Sequence, residues 1–150
     1  MIGGSVIDIR IVDAALSHAQ GIAELEEKYI DCAWTAEQVK AELQKDNVIF
    51  LAAEHDGKLV GYVSGEIAAD EIELGNVAVD ENYRRQGVGT ALLRAFIMRA
   101  KQRAVKRIFL LVSAENSAAI SLYGAVGFSQ TGRRRGYYGN SDAIIMEIDI

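Results

Sequence analysis

Short apolar-rich runs and one long helical stripe divide the chain. Val6–Val12 alternates loosely and predicts a strand, and Asp13 after it is placed to cap a helix over Ala14–Tyr29. Thr35 with Gln38 three residues on forms a capping-box pattern that opens a second helix to about Gln44. Val48–Glu54, Leu59–Glu66 and Ile72–Val79 are strand-like, and His55-Asp56-Gly57-Lys58 between the first two is a hairpin turn signal. In Gly87–Arg103 the residues Val88, Leu92, Phe96 and Ala100 share one stripe with Leu93 and Ile97 beside it, which predicts a helix with one core face. Arg107–Val112 is an apolar strand. Asn116 caps a shorter helix to about Val126 that Gly127 ends, and Ile144–Ile150 alternates again.

The resulting order is β-α-α-β-β-β-α-β-α-β-β. Consecutive strands in the middle predict an α+β fold on a mixed sheet rather than an alternating, doubly wound one. No repeat, low-complexity segment or linker interrupts it, so one domain over 1–150 is expected.

Composition changes this picture little, with half the residues apolar and a quarter charged. Charge changes it more. Residues 1–82 hold 17 acids against 5 Lys/Arg, whereas residues 83–150 hold 11 Lys/Arg against 4 acids. From Tyr83 to Ala114 there is no Asp or Glu, while Arg84, Arg85, Arg94, Arg99, Lys101, Arg103, Lys106 and Arg107 all fall there. A local positive field in an acidic chain suits an anionic ligand. Net acidity and the lack of helix-turn-helix, zinc-ligand or aromatic RNA-binding signatures argue against nucleic acid. No apolar run reaches membrane-spanning length and no secretory pattern opens the sequence, so no membrane partner is expected and the cytoplasm is. Cys32 is the one cysteine and is expected to be a buried thiol without a role.

The candidate chemistry begins at Arg84-Arg85-Gln86-Gly87-Val88-Gly89-Thr90, between a strand and the strongest helix. Glycines let a ligand approach the backbone, and the unpaired first-turn amides at the positive helix end favour a pyrophosphate. The loop lacks the Gly-Lys-Ser/Thr ending of a Walker loop and is not a G-x-G-x-x-G fingerprint.

The stretch Asn76–Leu93, with Val79, Arg84 and the Gln86-Gly87-Val88-Gly89 loop, resembles the central motif of GNAT acetyltransferases. Asn116-Ser117-Ala118-Ala119-Ile120-Ser121-Leu122-Tyr123 with Gly127-Phe128 resembles that family's second cofactor motif. Trp34-Thr35, Arg134-Arg135-Gly136-Tyr137-Tyr138 and Asp142-Ala143-Ile144-Ile145-Met146 are similar to the RimI-type branch, the ribosomal-protein-alanine acetyltransferases, with Ala33 standing where a proline is usual.

The resemblance implies a GNAT fold, a mixed sheet of six to seven strands flanked by about four helices. It also implies an N-acetyltransferase with acetyl-CoA as donor, no metal, and a protein amino terminus as the expected acceptor. By resemblance the cofactor site comprises Val77, Ala78, Val79, Arg84, Arg85, Gln86, Gly87, Val88, Gly89, Thr90, Asn116 and Tyr123. A backbone amide of Val77–Val79 would serve the developing oxyanion, and Asn116 the pantetheine amide. Tyr123 is the candidate acid, since a phenol near pKa 10 is close to a thiol. Trp34, Tyr137 and Tyr138 would line the peptide slot, the two tyrosines as strand neighbours on opposite faces.

The base is less settled. RimI-type relatives usually carry a glutamate where this chain has Leu111, in Leu110-Leu111-Val112. Glu73 stands where the histone-acetylating branch has its strand glutamate. Period-two alternation would put it on one face with Gly75 and Val77, and burial would raise its pKa. A water chain is the other route. A small amine as acceptor, or a non-catalytic acyl-CoA-binding module, are the competing readings, and a monomer or weak dimer is expected.

Overall fold

The computed structural model describes residues 8–30 and 32–150. Its elements are β1 (Arg10–Asp13), α1 (Ala19–Tyr29), α2 (Ala36–Leu43), β2 (Val48–His55), β3 (Lys58–Ala68) and β4 (Glu71–Val79). Next come α3 (Val88–Gln102), β5 (Arg107–Ser113), α4 (Ser117–Ala125), β6 (Ser129–Arg134) and β7 (Ala143–Asp149). The strands form one seven-stranded sheet in the order β1-β2-β3-β4-β5-β7-β6. Every neighbouring pair is antiparallel except β4 and β5. The expected α+β class, strand count and helix count are all present.

Local chemistry explains most boundaries. Thr35 and Gln38 close the capping box reciprocally, Gln38 N–H to Thr35 Oγ1 at 3.2 Å and Thr35 N–H to Gln38 Oε1 at 2.8 Å. Asn116 Oδ1 accepts from Ala119 N–H at 3.1 Å and starts α4. The first helix departs from expectation. Asp13 ends β1 and pairs with Arg99 instead of capping. A single 3-10 turn, Leu16–His18, intervenes before α1 begins at Ala19. Cys32 is exposed rather than buried. Tyr137 and Tyr138 lie in the turn between β6 and β7, so strand alternation does not separate them. The part of the first predicted strand before Asp8 lies outside the described residues.

Two cores sandwich the sheet. On one face Val88, Leu92, Leu93, Phe96 and Ala100 of α3 and Tyr123 of α4 pack with Ile72, Leu74, Ile108 and Leu110. Each large side chain buried there contributes roughly 1.5–3 kcal/mol. On the other face Ala19, Ile22 and Leu25 of α1 and Val39 of α2 cover Phe50, Tyr62 and Ala78. Gly65 is where the first core presses closest: a Cβ there would stand 2.5 Å from Phe96 Cζ and 2.7 Å from the Glu73 carbonyl.

Two irregularities in β4 open the sheet locally. Its register against β3 slips between Ser64↔Asn76 and Gly65↔Leu74, leaving Gly75 as the extra residue of a bulge. Against β5 it pairs only over Glu71–Glu73 with Arg107–Phe109, and beyond that the two parallel strands separate.

Candidate active site

The separation of β4 and β5 leaves backbone groups without a strand. Asp80 N–H bonds the Val60 carbonyl at 2.8 Å. Antiparallel pairs alternate, so Ala78 exchanges bonds with Tyr62 while Val77 and Val79 turn their N–H and C=O groups away from β3. The Val79 carbonyl is taken by Arg84 Nε at 3.1 Å. The Val77 and Val79 amides face the gap.

The loop after β4 delivers α3 with its amino end at the same gap. Arg85 (φ 62°) and Gly87 (φ 84°) are both left-handed, and Gly87 is the residue before the helix. Ala91 N–H is the first to find a helical partner, the Gly87 carbonyl at 3.0 Å. The amides of Val88, Gly89 and Thr90 therefore point outward at the positive end of a 15-residue helix. Arg84 is held over the Tyr29 ring at 4.4 Å, and Tyr29 Oη accepts from Glu81 N–H at 3.0 Å. The end of α1 thus buttresses the loop. Arg85 is exposed.

These elements enclose a cleft of about 660 Å³. Val77, Ala78, Val79, Arg84, Arg85, Gly87, Val88, Gly89, Thr90, Asn116 and Tyr123, all expected in a cofactor site, line it together. Gln86 does not; its amide donates to the Asn82 carbonyl at 3.2 Å. Tyr29, Ile30, Tyr83, Ala118, Ala119 and Leu122 complete the wall and were not anticipated. The donor set, outward amides beside two arginines and then a narrow strand gap, fits a ligand with a pyrophosphate at one end and an amide-bearing arm.

Tyr123 stands at the inner end, 6% exposed, with its hydroxyl bonded to no described residue. Burial first, then neighbouring Tyr138, pushes its phenol up to about 12. It remains protonated, as a donor must, but is a weaker acid than an ordinary phenol.

Of the expected acceptor-side residues, Trp34 and Glu73 lie on the α1/α2 face. The bulge at Gly75 breaks the alternation of β4: Leu74 and Val77 both face the α3 core, and Glu73 faces away from them, exposed. Both premises for a buried strand base at Glu73, a shared face with Val77 and burial, are therefore absent. Leu111 is half-buried and pairs with Ile145 of β7. Trp34 is half-buried against Phe50, with ring centroids 6.4 Å apart. Tyr137 and Tyr138 are 52% and 44% exposed and stack edge to face at 5.0 Å. Asp142 holds their turn, accepting from Gly136 N–H at 2.8 Å and Arg133 Nε at 2.7 Å, and these bonds lower its pKa.

Sequence reading missed Glu26. It is 1% exposed, and its oxygens accept from Trp34 N–H at 3.1 Å and Asn76 Nδ2 at 3.0 Å. Burial raises its pKa, and the two hydrogen bonds oppose that rise. The carboxyl ties α1, the turn before α2 and β4 into one unit. Its signal was available: Ala19, Ile22, Glu26 and Tyr29 share one helical stripe, so an acid sits among apolar positions.

A family model described as "Acetyltransferase (GNAT) family" matches residues 17–128. The chain belongs to the GNAT family. It is 38% identical over 119 residues to the [ribosomal protein bS18]-alanine N-acetyltransferase of Escherichia coli K12, covering 77% of this chain and 80% of that one. It is 34% identical over 139 residues to the N-alpha-acetyltransferase RimI of Mycobacterium tuberculosis, covering 87% and 86%. The crystal structure of the E. coli ribosomal-protein-S18-alanine N-acetyltransferase superposes with a TM-score of 0.85 at 31% identity, over 95% and 94% of the two chains. The GNAT fold expected from the motifs is thus the fold observed, and the protein is an acyltransferase of the RimI-like group. No helix among the described residues is long and apolar enough to cross a membrane, and none of their acidic, His or Cys side chains cluster as a metal site.

Proposed function

We propose that this GNAT protein transfers an acetyl group from acetyl-CoA to the α-amine of a protein amino terminus. The observation that carries the reading is the single cleft joining the outward amides of α3, the β4–β5 gap and the unpartnered hydroxyl of Tyr123. Relatives named as alanine and α-amine acetyltransferases support the acceptor.

Bound acetyl-CoA supplies an activated thioester carbonyl. The residues then divide the work. The amides of Val88, Gly89 and Thr90 with Arg84 and Arg85 hold the pyrophosphate. Asn116 spends Oδ1 on its helix and keeps Nδ2 for the arm. A Val77 or Val79 amide in the gap donates to the carbonyl oxygen as it gains charge, without reorganising. With the thioester bound, the amine nitrogen would bond to its carbonyl carbon as the C–S bond breaks and sulfur leaves with the electron pair. Tyr123 donates a hydrogen bond to that sulfur. At about 12 its phenol lies above an ordinary thiol, so completing the proton transfer to sulfur is uphill. Hydrogen bonding with later proton uptake from solvent is the easier course.

The amine must lose its proton, and magnitudes favour water over a dedicated base. An α-amine near pKa 8 is roughly 25% neutral at pH 7.5, against roughly 0.1% for a lysine. Glu73 on the far face and Leu111 on β5 supply no buried base, and both Glu26 oxygens are engaged. Trp34 and the Tyr137–Tyr138 turn would flank the peptide. A cytoplasmic enzyme of one domain, monomeric or weakly dimeric, completes the reading.

Thiol release from acetyl-CoA tests it with two peptides, one with a free amino-terminal alanine or serine and no lysine, the other blocked and carrying one lysine. Release with the first alone is expected. Release with the blocked peptide alone would move the acceptor to a side-chain amine.

A further inference from the structure

A second depression, of about 190 Å³, lies on the α1/α2 face of the sheet. Its floor is the β3–β4 bulge at Gly65 and Gly75, and Trp34 and Phe50 form an aromatic wall. Glu42, Glu66 and Glu73 stand around it. Lys45 bonds Glu42 at 2.7 Å and Glu66 at 3.2 Å, so one ammonium answers three carboxylates. Glu73 has no ionic partner among the described residues.

Ser64 adds an independent observation. It is 6% exposed and lines the depression, with Oγ 4.0 Å from where a Cβ on Gly75 would stand. Its hydroxyl bonds to no other described residue. A hydroxyl at the wall of a depression can accept a hydrogen bond from a donor that enters it. Aromatic faces, surplus negative charge and an open acceptor suit one kind of group: a cation with N–H donors on an apolar stem.

We infer that this depression recognises a lysine or arginine side chain of the acceptor peptide, two to four residues after the amine that is acetylated. The inference rests on the acceptor reading above and names its substrate class. In that reading the donor would occupy the cleft lined by α3 and α4, which leaves the α1/α2 side for the peptide. Along β4, Glu73 is four residues from Val77, roughly 13 Å at 3.3 Å per residue. An extended peptide advances at the same rate, and a long basic side chain shortens the residue count needed. Glu26 links the two places, since it holds Trp34 of the pocket wall and Asn76 of the strand leading to the gap.

Trp34 is the only tryptophan of the chain, so its fluorescence reports the pocket directly. The probes are amino-terminal alanine peptides with one arginine at position 3, 4 or 5, and their alanine and glutamate counterparts. At one position the arginine peptide is expected to bind about tenfold tighter than the alanine peptide, with glutamate weakest. Glu73→Gln should shrink that ratio to about threefold or less. Gly75→Val should do the same by filling the space, since Gly75 has an ordinary φ and its Cβ would meet nothing closer than 3.7 Å. Equal binding of arginine and alanine peptides at all three positions overturns the pocket, as does a preference untouched in both variants. So does a Glu73→Gln enzyme that loses kcat equally on every peptide, which would put the carboxylate at the reacting amine. Thiol release separates the two readings. Equal kcat/KM for arginine and alanine peptides refutes the pocket and keeps the transferase. No release, alongside an arginine-selective Trp34 response, keeps the pocket and refutes the transferase.

Discussion

The two faces of the sheet are built from different materials. On the α3/α4 face the ligand-facing groups are mostly backbone amides, those of Val88, Gly89 and Thr90 and those of Val77 and Val79 in the gap. They come from one continuous stretch plus the start of α4. On the α1/α2 face the polar groups are side chains collected from α1, the turn before α2, β3 and β4: Glu26, Trp34, Ser64 and Glu73. A backbone site demands particular residues at fixed spacing, because only some sequences leave amides free and bend correctly. A side-chain site demands only that distant residues converge.

Tyr123 stands at the inner end of the donor cleft, and the largest effect is expected there. Tyr123→Phe removes the hydrogen bond to the departing sulfur while keeping the ring that packs on Phe128 at 5.8 Å. A loss of roughly 10²–10³ in kcat is expected, with the donor KM nearly unchanged. Steady-state kinetics check this, and an unchanged kcat would remove Tyr123 from the chemistry. Because its phenol lies at about 12, Tyr123 titrates only above the assay range. The wild-type rate should therefore rise toward pH 8 with the α-amine and then level off rather than fall between pH 8 and 10.

Glu26 sharpens the contrast from the acceptor side. Glu26→Ala leaves the Trp34 N–H and the Asn76 amide without their acceptor, at an expected cost of roughly 1–3 kcal/mol in denaturant unfolding. Donor binding, on the other face, should change far less. The pH dependence has a definite sign. A carboxyl whose pKa is raised on folding makes the folded state bind more protons, so stability falls as pH climbs from the ordinary glutamate range through the raised value. Glu26→Gln, neutral throughout, should lose that decline. Parallel stability curves for wild type and Glu26→Gln across pH 4–7 would show the carboxyl is not strained.

Legibility in the sequence divides along the same line. The loop at 84–90, the Thr35 and Asn116 caps and the α3 stripe are local patterns, and each appears where its residues put it. Glu26 was hidden because Leu25-Glu26-Glu27-Lys28 resembles an ordinary solvated helix face, although only one of the two glutamates faces inward. Glu73 was placed on the wrong face because strict alternation cannot see a bulge, and the extra residue at Gly75 moves everything before it by one. Asp13 has the chemistry of a cap, but a strand residue paired with Arg99 86 positions away is a tertiary fact. Local signals located the residues that line the cleft. Long-range convergence made the depression on the α1/α2 face.

The smallest predicted effect tests whether the donor side is truly a backbone device. Gly87 has φ 84°, and a Cβ added there would meet nothing within 4 Å. Gly87→Ala therefore removes no contact and creates no clash in the free protein. What it adds is left-handed strain of roughly 1–2 kcal/mol and a methyl group where the ligand must approach the amides. If backbone approach matters, the donor KM should rise roughly 5- to 30-fold while the acceptor KM stays within about twofold. A stability loss near 1 kcal/mol with an unchanged donor KM would mean that the arginines hold the pyrophosphate. In that case the contrast between a backbone-built face and a side-chain-built face would fail at its clearest residue.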